Sequence, residues 1–117
     1  MDSVITEKAL SFKGSYMTEQ WGGAHVFKVG TRVDFKMFAI LRPGESRLTV
    51  KVQDEEIRSM LIEVGVAQAH SHLKRGNWVV LLLDKLETED VLERLKASYD
   101  LIFPKLPKRV REPLHLS

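Results

Sequence analysis

Cysteine is missing from all 117 residues. Its absence excludes a disulfide framework, thiol catalysis and thiolate metal sites, and it fits a cytoplasmic protein. No apolar run approaches the roughly 18 residues that span a bilayer, so no membrane segment is expected. The start, Met1-Asp2-Ser3-Val4, lacks the basic stretch and apolar core of a secretory leader. Phosphate loops are lacking as well: Gly14, Gly22 and Gly23 match neither a dinucleotide fingerprint nor a P-loop. Ser46, in Gly44-Glu45-Ser46-Arg47, has no second glycine to make a nucleophile elbow. The carboxylates fall in the first turns of helices, and none forms an isolated pair in an apolar setting suited to acid–base work. Enzyme activity, a cofactor and a resident metal are therefore not expected.

What is present describes a globular domain. An apolar share of 44% and a charged share of 29% suit a soluble fold, and 117 residues suit one domain over 1–117. The formal charge is only +2, but it is unevenly spread. Between residues 28 and 51, six cations (Lys28, Arg32, Lys36, Arg42, Arg47 and Lys51) face two acids, Asp34 and Glu45. After Lys105, the cations Lys105, Lys108, Arg109 and Arg111 face Glu112 alone. The expected helices over 54–64 and 88–103 are both net acidic. A positive side and a negative side can orient a polyanion. Acids in helix first turns also have a purely structural reason, the helix dipole, and that reading is favoured for them.

Taken in order, Val4, Ile5, Ala9 and Phe12 predict a helix over 3–11. Residues 14–23 are expected to form a loop holding Tyr16 and Trp21, with the aromatics capping the core in preference to lining a groove. Strands follow over 24–29 and 36–41, the second apolar on both faces as inside a sheet. Arg42-Pro43-Gly44-Glu45-Ser46 is turn chemistry. Past it, Leu48, Val50 and Val52 alternate with Arg47, Thr49 and Lys51, which predicts a third strand. At Asp54 the period lengthens to that of a helix, with Ile57, Met60, Leu61 and Val64 as its apolar stripe and Gly65 as its stop. A short edge strand over 66–70 and an apolar strand over 78–83, covered at least in part on both faces, come next. Thr88 is placed to cap a last helix, in which Asp90 and Arg94 can pair and which Pro104 ends. The basic tail from about 104, with Pro107 and Pro113, is expected to be extended or loosely docked. The order α-β(3)-α-β(2)-α predicts a two-layer α+β sandwich.

Binding is the stronger functional expectation. Arg42 and Arg47 flank one turn, Lys74 and Arg75 lie on another, and Lys108, Arg109 and Arg111 lie on the tail. With Lys51, they are the candidate contacts to a phosphate backbone. Trp78, beside Arg75, is a candidate for stacking on a base, although a Trp opening an apolar strand is more often core. His70 and His72 share a face if extended, but they read as surface histidines beside a turn before they read as metal ligands. A small-molecule site lined by Tyr16, Trp21 and His25 is a third possibility.

The residues also carry a resemblance. Trp21-Gly22, Val26-Phe27-Lys28-Val29-Gly30, Lys36-Met37-Phe38-Ala39, Leu48-Thr49-Val50-Lys51 before an acidic helix start, Lys74-Arg75-Gly76-Asn77-Trp78-Val79, Ala97-Ser98-Tyr99-Asp100 and Leu106-Pro107 occur in an order that resembles the MmcQ/YjbR family of small bacterial proteins. The likeness runs from about Leu10 to Arg111. One departure is a longer connection over 31–35. The resemblance implies an α-β(3)-α-β(2)-α sandwich similar to type III secretion chaperones, described as a double wing, and a DNA-binding label. It adds no catalytic residues. Two functions follow as expectations: DNA binding through the basic turns, or a non-enzymatic adaptor that contacts another protein.

Overall fold

The computed structural model describes residues 1–116, with side chains through Leu114. Ten helices and strands form in the order α1 (Asp2–Ser11), β1 (Ser15–Gln20), β2 (Ala24–Gly30), β3 (Phe35–Arg42), β4 (Arg47–Lys51), α2 (Glu55–Glu63), β5 (Ala67–Ala69), β6 (Trp78–Leu82), α3 (Thr88–Ile102) and α4 (Lys108–Leu116). Short 3-10 turns follow β6 and α3. All six strands make one antiparallel sheet in the order β1-β2-β3-β4-β6-β5. The α+β class is as expected, and two elements are added to the expected order.

The first addition is β1, where a loop was expected. Its residues, Ser15 to Gln20, are mostly polar and show no buried alternation, because the strand lies at the sheet edge and only β2 pairs with it. The second is α4, where an extended tail was expected. Pro107 does not prevent it: Val110 and Arg111 both donate to the Pro107 carbonyl, which opens the helix. Val110 and Leu106 are buried, so packing holds a segment that two prolines would otherwise discourage. Two smaller expectations also shift. Thr88 is the first residue of α3, not its cap, and no side chain caps that end. The ion pair on α3 is Lys96–Asp100 at 2.8 Å, not Asp90–Arg94.

Every helix covers the same face of the sheet. Ile5 and Ala9, Leu61, Val91 with Leu95 and Ile102, and Val110 join Phe27, Phe38, Leu41, Leu48, Val50, Val79 and Leu81 in one apolar cluster. Strand β3 reaches it through a bulge. Phe27 pairs with Ala39 and Lys28 with Met37, so Phe38 has no partner and turns inward beside Ala39. There it meets Tyr99 edge-on at 5.4 Å and Phe12 at 5.9 Å. Beyond Ala39–Val50 the β3–β4 ladder opens. The buried Ser98 hydroxyl fills the gap, donating to the Phe38 carbonyl at 2.6 Å and accepting from the Lys51 amide at 2.9 Å.

The β2–β3 connection confirms the long turn. Gly30 and Phe35 pair across it, and the Thr31 hydroxyl accepts from the Asp34 amide at 2.8 Å. Gly30 is required there: its φ is +122°, and a Cβ would run into the Asp34 carbonyl. Among the described residues, the other face of the sheet carries only Ala24, Val26 and Ile40 as buried apolar residues, with Met37 and Leu73 packed on them. Leu73 belongs to loop 70–77, which folds back over this face.

Candidate nucleic-acid interface

On that second face, a cleft of about 740 Å³ opens between the sheet and the folded-back loop. Ile40, Thr49, Gln68 and Val80 come from the strands, and His70 to Leu73 come from the loop. Arg42, Arg47 and Trp21 also line it, and Glu45 is the acid among its lining residues. The chain places two arginines here because β3 and β4 form a hairpin at Pro43-Gly44. Its last rung sets Arg42 directly opposite Arg47. Like charges across a rung are unfavourable. Among the described residues, neither arginine forms an ion pair. Arg42 donates to the Trp21 carbonyl at 3.2 Å, which ties the β1–β2 turn to the β3 end.

The loop wall has its own hinge. His70 Nδ1 accepts from the backbone amides of His72 and Leu73, both at 3.0 Å. Burial pushes the His70 imidazole below its ordinary value, and the neighbouring charges of His72 and Arg42 push the same way. A neutral imidazole is what these two bonds require, since a protonated Nδ1 accepts nothing. Lys74 and Arg75 follow in the loop beyond the residues that line the cleft, both exposed and, among the described residues, without an ion pair.

The remaining candidates lie elsewhere. Lys51 and Trp78 pair at the far end of β4 and β6, four residues or ~13 Å along the strand from Arg47. The Lys51 ammonium donates to the Gly76 carbonyl and sits 5.6 Å over the Trp78 ring. Burial and the adjacent Lys105 pull the Lys51 pKa down. Trp78 is half-buried against the main cluster, so its indole braces the 76–78 turn. On α4, Arg109 is bonded to Asp34 at 2.6 Å and Lys108 lies 3.5 Å from Glu112. Arg111 Nε donates to the Leu106 carbonyl at 2.9 Å. With Val110 in the main cluster, α4 belongs to the helical layer, and its cations do not line the cleft.

Tyr16, Trp21 and His25 do not converge. Tyr16 donates to the Thr31 carbonyl at the opposite end of β1 from Trp21. His25 faces Glu19 at 3.9 Å and lines a separate hollow beside α1, with its Nδ1 buried and unpartnered. Trp21 is 57% exposed, so it caps no core. It belongs to the cleft instead, a role that the adjoining Gly22-Gly23 disguised as simple turn punctuation. His70 and His72 have ring centres 6.1 Å apart, and among the described residues no group of three His, Cys, Asp or Glu is placed to hold a metal. No helix among these residues is long and apolar enough to cross a membrane.

Comparison with known proteins gives two findings. A family model described as YjbR matches residues 10–101. The crystal structure of a Deinococcus radiodurans protein, DR2400, which carries the family domain DUF419, superposes with a TM-score of 0.86 at 26% identity. That likeness covers 98% of this chain and 88% of the other. No curated protein matches.

Proposed function

The chain belongs to the YjbR family, and from that premise and the cationic cleft we propose that it binds DNA without acting on it chemically. The observation that carries the reading is the Arg42–Arg47 rung: two like charges set side by side on the open face of the sheet, in the lining of the cleft. Such a pair is unfavourable by itself and becomes favourable once phosphates lie between the guanidinium groups. A cytoplasmic, non-enzymatic role fits the lack of cysteine and of any catalytic pattern.

Fluorescence anisotropy with labelled random-sequence DNA tests it. The parent protein should bind with a dissociation constant on the order of 10⁻⁴–10⁻⁶ M at physiological salt, and more tightly as salt falls. Arg47→Glu should weaken binding at least tenfold and flatten the salt slope by about one. Lys74→Glu with Arg75→Glu should act in the same direction. Arg109→Glu should change little, since Asp34 already holds that side chain. Equal affinity for the parent and the Arg47 variant removes the cleft from the reading.

A second reading, an adaptor for another protein, has one observation in its favour. Strand β1 is an open edge of six residues, to which a partner strand can add. Capture of a partner that survives nuclease and ignores Arg47→Glu would select it.

A further inference from the structure

We infer that the cleft takes single-stranded nucleic acid, with Trp21 as the platform for an unpaired base and the arginine rung for the flanking phosphates. The inference rests on the proposed binding function and sharpens it by naming the form of the ligand.

Trp21 is the residue that asks for an explanation. A tryptophan is usually well buried, yet this one is 57% exposed. It also sits at a φ of +50°, a conformation that bulky side chains seldom adopt, even though glycine occupies the next two positions. The Arg42 guanidinium holds its carbonyl in place. Backbone strain of this kind persists where the surroundings impose it, and it gathers at sites that present a side chain. What is presented is an indole at the rim of a cleft that also contains Arg42 and Arg47.

The remaining chemistry matches one kind of occupant. A base has two apolar faces and a polar edge, and it is joined to a phosphate at every step. Here an aromatic ring, two guanidinium groups and an apolar floor of Ile40 and Val80 share one hollow of about 740 Å³. That size is within the roughly 300–1,000 Å³ range of sites that enclose small molecules, enough for a nucleotide unit or two. A duplex keeps its bases stacked inside, so an indole at the rim gains nothing from it unless the stack is opened. Single strands expose base faces, and aromatic side chains bind them with little regard to sequence. Charge complementarity favours a polyanion of either form, since Arg42 and Arg47 outnumber Glu45 among the lining residues.

The test compares labelled oligothymidylate, oligouridylate and a blunt DNA duplex by anisotropy on the full chain. Both single strands should bind at least tenfold more tightly than the duplex. Trp21→Asn, chosen because asparagine tolerates positive φ, should weaken strand binding by roughly 5- to 140-fold and leave duplex binding unchanged. Trp21→Phe should retain most of the strand affinity, because it keeps an aromatic face. Circular dichroism melts of both variants check that the fold is intact. Equal affinity for strand and duplex overturns the inference but leaves the proposed function standing, as does unchanged strand affinity in Trp21→Asn. Failure to bind any of the three probes overturns both.

Discussion

Ser98 and Arg47 both serve strand β4, one at each of its ends, and their surroundings differ in kind. Ser98 is fully buried on the helix side, and its hydroxyl completes an interrupted ladder by bonding Phe38 and Lys51. Arg47 is exposed on the open side and faces another arginine across the last rung. On the helix side the polar group lowers the free energy of the fold. On the open side the charges raise it slightly, and the proposed ligand would offset that cost. Substitutions should therefore separate: changes at Ser98 and its buried neighbours cost stability and spare binding, and changes at the Arg42–Arg47 rung do the reverse.

The largest effect is expected at Phe38, which is completely buried among Phe12, Phe27 and Tyr99. Phe38→Ala should cost about 3–5 kcal/mol in urea unfolding, from lost burial and the cavity left behind. DNA affinity per folded molecule should not change. Ser98→Ala comes next. It leaves the Phe38 carbonyl and the Lys51 amide without their shared partner in a buried position, at a cost of about 1–3 kcal/mol. A loss of binding in either folded variant would show that the two faces are coupled and that the contrast is wrong.

The same contrast explains what could be read from the residues alone. Alternation in Arg47–Lys51 assigned Leu48 and Val50 to one side and Arg47 and Thr49 to the other, as found. Residues 36–41 looked apolar on both faces because they are: Met37 and Ile40 pack on the open side, and Phe38, Ala39 and Leu41 pack on the helix side. The bulge that produces this split leaves no mark in composition. Strand β1 was missed because an edge strand with one neighbour needs no apolar period, and α4 because Pro107 before it and Pro113 within it outweighed Leu106 and Val110. The cleft itself depends on loop 70–77 folding back over the sheet. That is a tertiary event, set by Leu73 packing on the small cluster of Ala24, Val26 and Ile40 and by the two bonds to His70.

His70 offers a smaller, pH-dependent test of that loop. Its pKa lies below the ordinary 6.5 in the folded protein, mainly through burial and then through His72 and Arg42. Between the two values the unfolded chain binds more protons, so stability rises with pH. The neutral-imidazole contribution is therefore complete above about pH 6.5 and is lost as pH falls through the folded value. The protection of the His72 and Leu73 amides, taken relative to the intrinsic exchange rate at each pH, should fall as pH drops through that window. His70→Ala should remove this pH dependence and cost about 1 kcal/mol at neutral pH, as expected for lost hydrogen bonds. His70→Asn, which offers a carbonyl oxygen in place of Nδ1, should restore much of the protection. A protection factor at those amides that does not change with pH would mean that His70 does not hold the loop wall.

The smallest expected change in stability has the opposite sign. Arg47→Thr removes one of two like charges from the last β3–β4 rung and puts a β-branched residue on a strand. Thermal unfolding should show a gain of about 0.2–1 kcal/mol. DNA affinity should fall in the same variant, and added salt should shrink both effects, because both are electrostatic. Stability and binding moving in opposite directions at one exposed position is the outcome a purely structural arginine would not give. A variant that is both less stable and equally good at binding would place Arg47 among the residues that hold the fold. The open face would then have no claim to a ligand on grounds of charge.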